Sequence, residues 1–393
     1  MRVLYISQMS DIGGASIALK NIINEIHDKV EVAVLLPNKK GWLVDELKSL
    51  KCRLYFSEYE MMIWPFSTIK KNGYWNPLAY LKFIKGIYNK YHKQKKASKA
   101  LENIIRDFKP NIVHCNCGPL DISLNVCIKL GIPHVWHLRE YQDQSSGLYF
   151  LPSTRKFNNK IHSNGNFNIA ITKGIFQNFK LRSNIDKVIY DGVFNTPQNT
   201  EFKEYNKENY FLAVGRIEHG KGVLFLLESF ALFHKKNPSI QLLIAGGHSD
   251  SIYFSECKRT IKKHKLDDSV KFLGIRKDIY TLMQKSKCLI VASPTEGFGF
   301  ITVEAMLNSC LVLGRDTTGT KEQFDNGLAI TKHEIGLRFN TINELAQQME
   351  FAINNDTSEM RKRAYQVVLN EYSIQKHTNQ LIEYYKYIFS LYE

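Results

Sequence analysis

Two series of alternating strand-like and helix-like segments, separated by one polar stretch, constrain this 393-residue chain more than any other feature. In the first series, apolar runs at Val3–Ser7, Val30–Leu36, Arg53–Phe56, Ile112–Cys115, His134–His137, Ile169–Ile171 and Val188–Tyr190 read as strands. Helical patterns lie between them at Ala15–Ile26, Val44–Leu50, Leu78–Phe108 and Ser123–Leu130. Residues 195–209 are polar, contain Pro197 and lack periodicity, so they read as a linker. The second series places strands at Tyr210–Val214, Gln241–Ala245, Val270–Leu273, Cys288–Ala292 and Cys310–Leu313. Its helices fall at Val223–Lys235, Ser251–His264, Asp278–Lys285, Phe300–Leu307 and Ile342–Asn354, and a last amphipathic helix covers 373–393. Such alternation predicts an α/β architecture of parallel sheets with helices on both faces. The chain exceeds one comfortable core. We therefore expect two Rossmann-like, doubly wound domains, 1–194 and 210–372, facing an interdomain cleft.

The chemistry concentrates after two of the second-series strands. Cys288–Ala292 runs into a Ser293-Pro294 turn, then into Glu296-Gly-Phe-Gly-Phe-Ile-Thr-Val-Glu304, which becomes helical from Phe300. Glu296 thus sits in the loop at a strand's carboxyl end, the edge where open α/β sheets bind ligands, and Glu304 lies on the helix leaving it. Gly297 and Gly299 let backbone approach a ligand, and the helix start offers free N–H groups to phosphate. The strand Tyr210–Val214 leads into Gly215-Arg216-Ile-Glu-His-Gly-Lys221-Gly222. Arg216 supplies a planar fork and Lys221 a mobile point charge, a pair suited to a diphosphate. Two acids and two cations so placed match a sugar–diphosphate–ribose layout.

Composition narrows the setting. The seven cysteines are scattered, and Cys115 and Cys117 are spaced for neither a zinc site nor a redox pair. We expect reduced thiols that act as small buried hydrophobes in a cytoplasmic protein. The first residues lack a signal-peptide pattern, and no apolar run reaches the ~20 residues needed to span a bilayer. The formal charge of +15 is uneven: between Met61 and Pro110, eleven Lys and Arg face two acids, Glu102 and Asp107. Interleaved there are Trp64, Phe66, Tyr74, Trp75, Tyr80, Phe83, Tyr88 and Tyr91. Residues 61–110 suit an anionic membrane face, which would make the protein peripheral to the membrane. They equally suit a solvated basic helix whose aromatics face the core. No nucleic-acid module accompanies the charge, which argues against nucleic acid.

Gly-Arg216…Lys221-Gly, followed some eighty residues later by Glu296-Gly-Phe-Gly…Glu304-Ala, resembles the group 1 glycosyltransferases. The resemblance implies the two-domain GT-B fold and transfer with retention at the anomeric carbon. It assigns Glu296 to the donor sugar's hydroxyls and Glu304 to the ribose, with Gly297, Phe298, Gly299, Phe300 and Ile301 beside the donor. Asp11-Ile-Gly13-Gly14 resembles the family's first glycine loop, where the Gly14 N–H would face the donor phosphate. His137, ending its strand, stands where the family often places an active-site histidine; His114 and His134 read as structural. Leu273-Gly-Ile275-Arg276 resembles the loop that meets the nucleotide base, and Gly319-Thr-Lys-Glu322 another loop near the substrate. After Met306 the family's usual glycine and proline are replaced by Leu307-Asn-Ser-Cys-Leu311. The last helix resembles the segment that crosses back onto the N-terminal domain, with Tyr384, Tyr385, Tyr387 and Phe389 as packing residues.

The implied reaction moves a sugar from a nucleotide diphosphate-sugar to a hydroxyl of a glycan or lipid-linked acceptor held by the first domain. Arg216, Lys221 and backbone N–H groups would stabilise the departing diphosphate. No acidic pair sits in a plausible metal site, so no metal and no cofactor beyond the nucleotide-sugar co-substrate is expected. Two alternatives stay open: a nucleotide-sugar epimerase of the same fold, or a non-catalytic nucleotide-sugar-binding subunit of a glycan assembly complex.

Overall fold

The computed structural model describes residues 1–66, 76–142, 149–195 and 201–392. Tyr74, Trp75 and residues 196–200 of the expected linker lie outside them. The chain forms two compact units, Met1–Gly192 with Ile374–Glu393, and Val193–Ser373.

Among the described residues, unit 1 has seven strands: β1 (Arg2–Ile6), β2 (Glu31–Leu36), β3 (Arg53–Phe56), β4 (Ile112–Cys115), β5 (His134–Leu138), β6 (Asn166–Ala170) and β7 (Lys187–Val188). They form one sheet in the order β3-β2-β1-β4-β5-β6-β7, and each neighbouring pair is parallel. Four of the five residues of β1 are buried, as expected when helices cover both sheet faces. The helix Pro77–Phe108 starts with Pro77 at its first turn and the Asn76 side chain accepting from the Leu78 N–H. The last helix, Ile374–Ser390, belongs to this unit. Its Leu381, Tyr384, Tyr385 and Ile388 enter the same core as Val3, Tyr5 and Val34. Tyr387 stays exposed and Phe389 half-buried.

Among its described residues unit 2 has six strands: β8 (Tyr210–Val214), β9 (Gln241–Ala245), β10 (Val270–Gly274), β11 (Cys288–Val291), β12 (Val312–Arg315) and β13 (Leu337–Phe339). Their order is β10-β9-β8-β11-β12-β13, again all parallel. Both sheets reverse direction of growth once, between β1 and β4 and between β8 and β11. Residues 201–209 lie against unit 2: Lys207 Nζ donates to the Gln284 and Ser309 carbonyls, and Arg361 pairs with Glu204 at 2.5 Å. Gly319–Glu322, read from sequence as a loop, is the first turn of the helix Thr318–Thr331. Its glycine and β-branched residues hid that helix from a propensity argument.

All seven cysteines are free, six of them buried. No helix among the described residues is long and apolar enough to cross a membrane.

Candidate functional site

The reversal between β8 and β11 opens the crevice in which doubly wound sheets hold ligands. Lys221 follows β8 and Glu296 follows β11, so strand order alone brings them to one edge. Gly222 then closes the distance. It sits at φ +65°, between the short helical turn His219–Lys221 and the helix Val223–His234. A Cβ there would lie 2.3 Å from the Ala292 carbonyl oxygen. The loop therefore presses backbone against backbone at the end of β11, and Lys221 Nζ donates to Glu296 Oε1 at 2.6 Å. Gly246, after β9, serves similarly: a Cβ on it would meet the Gly215 carbonyl oxygen.

The Glu296 loop is held from the other side by the helix Thr318–Thr331. The Glu296 N–H donates to Thr318 Oγ1 at 2.8 Å, and the Glu296 carbonyl accepts from the Gly319 N–H at 3.0 Å. Gln323 Nε2 donates to the Phe298 carbonyl at 2.7 Å. Thr318 has φ +45°, a costly conformation for a β-branched residue, kept here by the bond its hydroxyl makes. Gly299, at φ +88°, turns the chain into the helix Phe300–Leu307 without a side-chain cap, which leaves that helix start free to meet a ligand.

Arg216, Lys221, Glu296 and Ile301 line a small hollow of about 20 Å³ over the sheet edge. Arg216 is largely exposed and pairs with Glu218 at 3.0 Å. A second hollow, of about 430 Å³, shares Val214, Gly215 and Arg216 with the first and adds Gly246, Gly247, Ile275 and Arg276. Ile275 is 85% exposed, an uncovered apolar side chain at the mouth of that hollow. Arg276 is engaged by Asp278 through two bonds of 2.8 and 2.6 Å. Phe298 turns its ring into the core against Tyr372, so only its backbone faces the loop's open side. Glu304 is half-buried on the helix Phe300–Leu307; burial raises its carboxyl, and Tyr280 Oη donates to it at 3.4 Å.

In unit 1, Gly14 opens the helix Gly14–Ile26 with no side-chain cap, and nothing lies within 4 Å of where its Cβ would be. His137, expected from sequence beside the reacting centre, is buried completely. Arg139, paired with Asp191 at 2.7 and 2.6 Å, donates from Nη2 to His137 Nδ1 at 3.3 Å. That bond makes Nδ1 an acceptor and leaves the proton of the neutral ring on Nε2. His114 Nε2, 3.2 Å from the same Nδ1, is then a donor, and its Nδ1 accepts from Tyr385 Oη. Burial and the Arg139 charge push His114 and His137 well below the usual imidazole range, and burial lowers His377 against the opposing pull of Asp191. Among the described residues His137 Nε2 has no partner, so it is an unmatched buried donor. His134, by contrast, is satisfied by Ser123 and Asn166.

Sequence reasoning missed Thr318, Gln323, Tyr280 and Asp191, and read Tyr385 as a packing residue without its hydrogen bond to His114. Arg139, two residues past His137, was the available signal for the buried network; the others come from distant segments. Among the described residues, no group of three or more His, Cys, Asp or Glu is placed to hold a metal ion.

Residues 195–367 match the family Glycosyl transferases group 1. The chain is 22% identical to the capsular polysaccharide biosynthesis glycosyltransferase CapH of Staphylococcus aureus, over 82% of this chain and 83% of that one. It is 23% identical to the glycosyltransferase MJ1059 of Methanocaldococcus jannaschii, over 76% and 72% respectively. Its fold is similar to that of Anabaena Alr3699/HepE in complex with UDP, with a TM-score of 0.75 over 98% of this chain and 99% of that chain, at 19% identity.

Proposed function

We propose that this chain, which belongs to the group 1 glycosyltransferases and has their GT-B fold, is a retaining, metal-independent hexosyltransferase that moves a sugar from a nucleotide diphosphate-sugar to an acceptor hydroxyl. The observation that carries the reading is the Lys221–Glu296 pair at the β8/β11 switch point, beside an uncapped helix start. In the absence of donor the two charges neutralise each other. A diphosphate settling over the loops at this sheet edge draws Lys221 and Arg216 to its oxygens and frees Glu296 for the sugar's hydroxyls. Backbone N–H groups from Gly297 to Ile301 complete an anion cradle. Glu304 takes the ribose hydroxyls, and the base lies in the larger hollow against Ile275, near Arg276. Once drawn to the diphosphate, the cations stabilise charge as the phosphate–sugar bond breaks without moving again at that step.

The likeness to CapH supports surface polysaccharide or lipid-linked glycan synthesis as the setting. The helix Pro77–Phe108 supports peripheral attachment to an anionic cytoplasmic membrane face, because Leu81, Ile84 and Tyr88 stand exposed among lysines. A thermal-shift panel of UDP-, GDP-, ADP- and CMP-sugars tests the donor reading, since a ligand of the folded state raises its melting point. One nucleotide series should stabilise the protein and release its nucleotide only with acceptor present. A panel with no shift, or product formed without acceptor, would remove the proposal.

A further inference from the structure

A larger cavity lies far along the chain from the donor residues, wholly within unit 1. Its volume is about 730 Å³, large enough for a small amphiphile. The floor is apolar: Met62, Val126, Phe150, Leu151, Pro152 and Phe157. Phe150 and Phe157 stack at 3.8 Å, and Trp64 braces the wall by donating to the Pro152 carbonyl at 3.2 Å. The rim is basic, carrying Lys95, Lys129, Lys156 and Lys160.

The rim's pairing is incomplete. Lys129 is bonded to Glu102, and Lys160 to one oxygen of Asp121. Lys95 and Lys156 form no ion pair among the described residues. The other oxygen of Asp121 is buried with no hydrogen-bond partner among the described residues, although Asp121 lines the cavity. A buried acceptor in that condition is costly until a donor reaches it. The cavity also has an approach. Tyr91, Gln94, Lys95 and Ser98 line it from the helix Pro77–Phe108, and one and two turns earlier on the same face stand the exposed Tyr88 and Ile84.

We propose that this cavity binds one molecule of a phosphate-bearing amphiphile with a free hydroxyl. Its apolar chain lies on the Phe150–Phe157 floor, its phosphate meets Lys95 and Lys156, and its hydroxyl donates to the unpartnered oxygen of Asp121. The site stands apart from the donor reading of unit 2, and either can fail without the other.

The probe is 1-decanoylglycerol 3-phosphate, kept below its micelle concentration and titrated calorimetrically into the full-length protein. Glycerol 3-phosphate and 1-decanoylglycerol serve as head-only and chain-only controls. Saturable one-to-one binding of the whole probe, at least tenfold tighter than either control, is expected. Binding by the head alone of equal strength would reduce the site to a simple anion contact. Equal binding by the chain alone would reduce it to an apolar hole. Either result overturns the proposal. Reversing both free lysines in K95E/K156E should weaken probe binding about tenfold, as two exposed contacts together supply. Filling the cavity from its exposed rim with Asn125→Trp should abolish it. Wild-type affinity in both variants, with unchanged melting points to show that they fold, would place the binding elsewhere and refute the site.

Discussion

Gly222→Ala tests whether backbone contact at the end of β11 creates the Lys221–Glu296 pair. Two separate costs are readable from the structure. An L-residue at φ +65° costs about 1–2 kcal/mol. The new Cβ also lies 2.3 Å from the Ala292 oxygen, about 1 Å short of ordinary contact, and overpacking of that kind adds roughly 1–3 kcal/mol. Gly274 isolates the first cost, since it too has φ +65° but nothing lies within 4 Å of its Cβ position. Domains of this size shift by roughly 2–4 °C per kcal/mol. By calorimetry, Gly274→Ala should lower the melting temperature by about 2–8 °C, and Gly222→Ala by a further ~2–12 °C. Relief of the overlap shifts Gly222, and Lys221 next to it, relative to the loop that carries Glu296. A displacement of about 1 Å at a reacting site is enough for a ~100-fold loss of donor turnover. Equal melting losses in the two variants, or full turnover in Gly222→Ala, would show that the contact does not position the lysine.

Three further outcomes follow from the same geometry. Lys221→Ala should lower turnover by at least ~100-fold, the lower range for loss of a stabilising donor, and near-normal kinetics would contradict its role. Glu304 is raised above its unfolded value of about 4.3, so the folded chain keeps that proton longer and loses stability as pH climbs through the folded value. Glu304→Gln should therefore melt higher than the wild-type protein at neutral pH, with the advantage vanishing near pH ~4, while binding donor more weakly; an advantage that does not change with pH would exclude burial of the carboxylate as its cause. His114, His137 and His377 are depressed in the folded state, and His134 is lowered to about 4. The unfolded chain then binds more protons below about pH 6.5, and each histidine removes up to ~1.4 kcal/mol per pH unit as pH falls. The melting temperature of unit 1 should drop steeply between about pH 6.5 and 5, and a flat profile there would mean the histidines are not buried neutral.

Most strands were legible because a parallel strand buried on both faces appears as a short apolar run, as β4, β8 and β9 do. The helices Thr154–Ile161, Lys173–Asn178 and Thr318–Thr331 were not. The first two are short and polar, and the third opens with threonines and glycine, so local propensity spoke against all three. Strand β13, only three residues long, offered too little periodicity to be read.

The site divides in the same way. Glu296, Glu304, Arg216 and Lys221 could be read because each lies within a few residues of a strand end, and strand ends show in sequence. Their partners could not. Thr318 Oγ1 reaches Glu296 from twenty-two residues away, and Tyr385 reaches His114 from 271 away. Local pattern determined which segments become strands and which residues stand at their carboxyl ends. Only the folded chain decided that Gly222 touches Ala292, that His137 is sealed beneath Arg139, and that a lysine-rimmed cavity lies beside the longest helix. Those facts depend on distances between segments remote in sequence, and no local pattern encodes such distances.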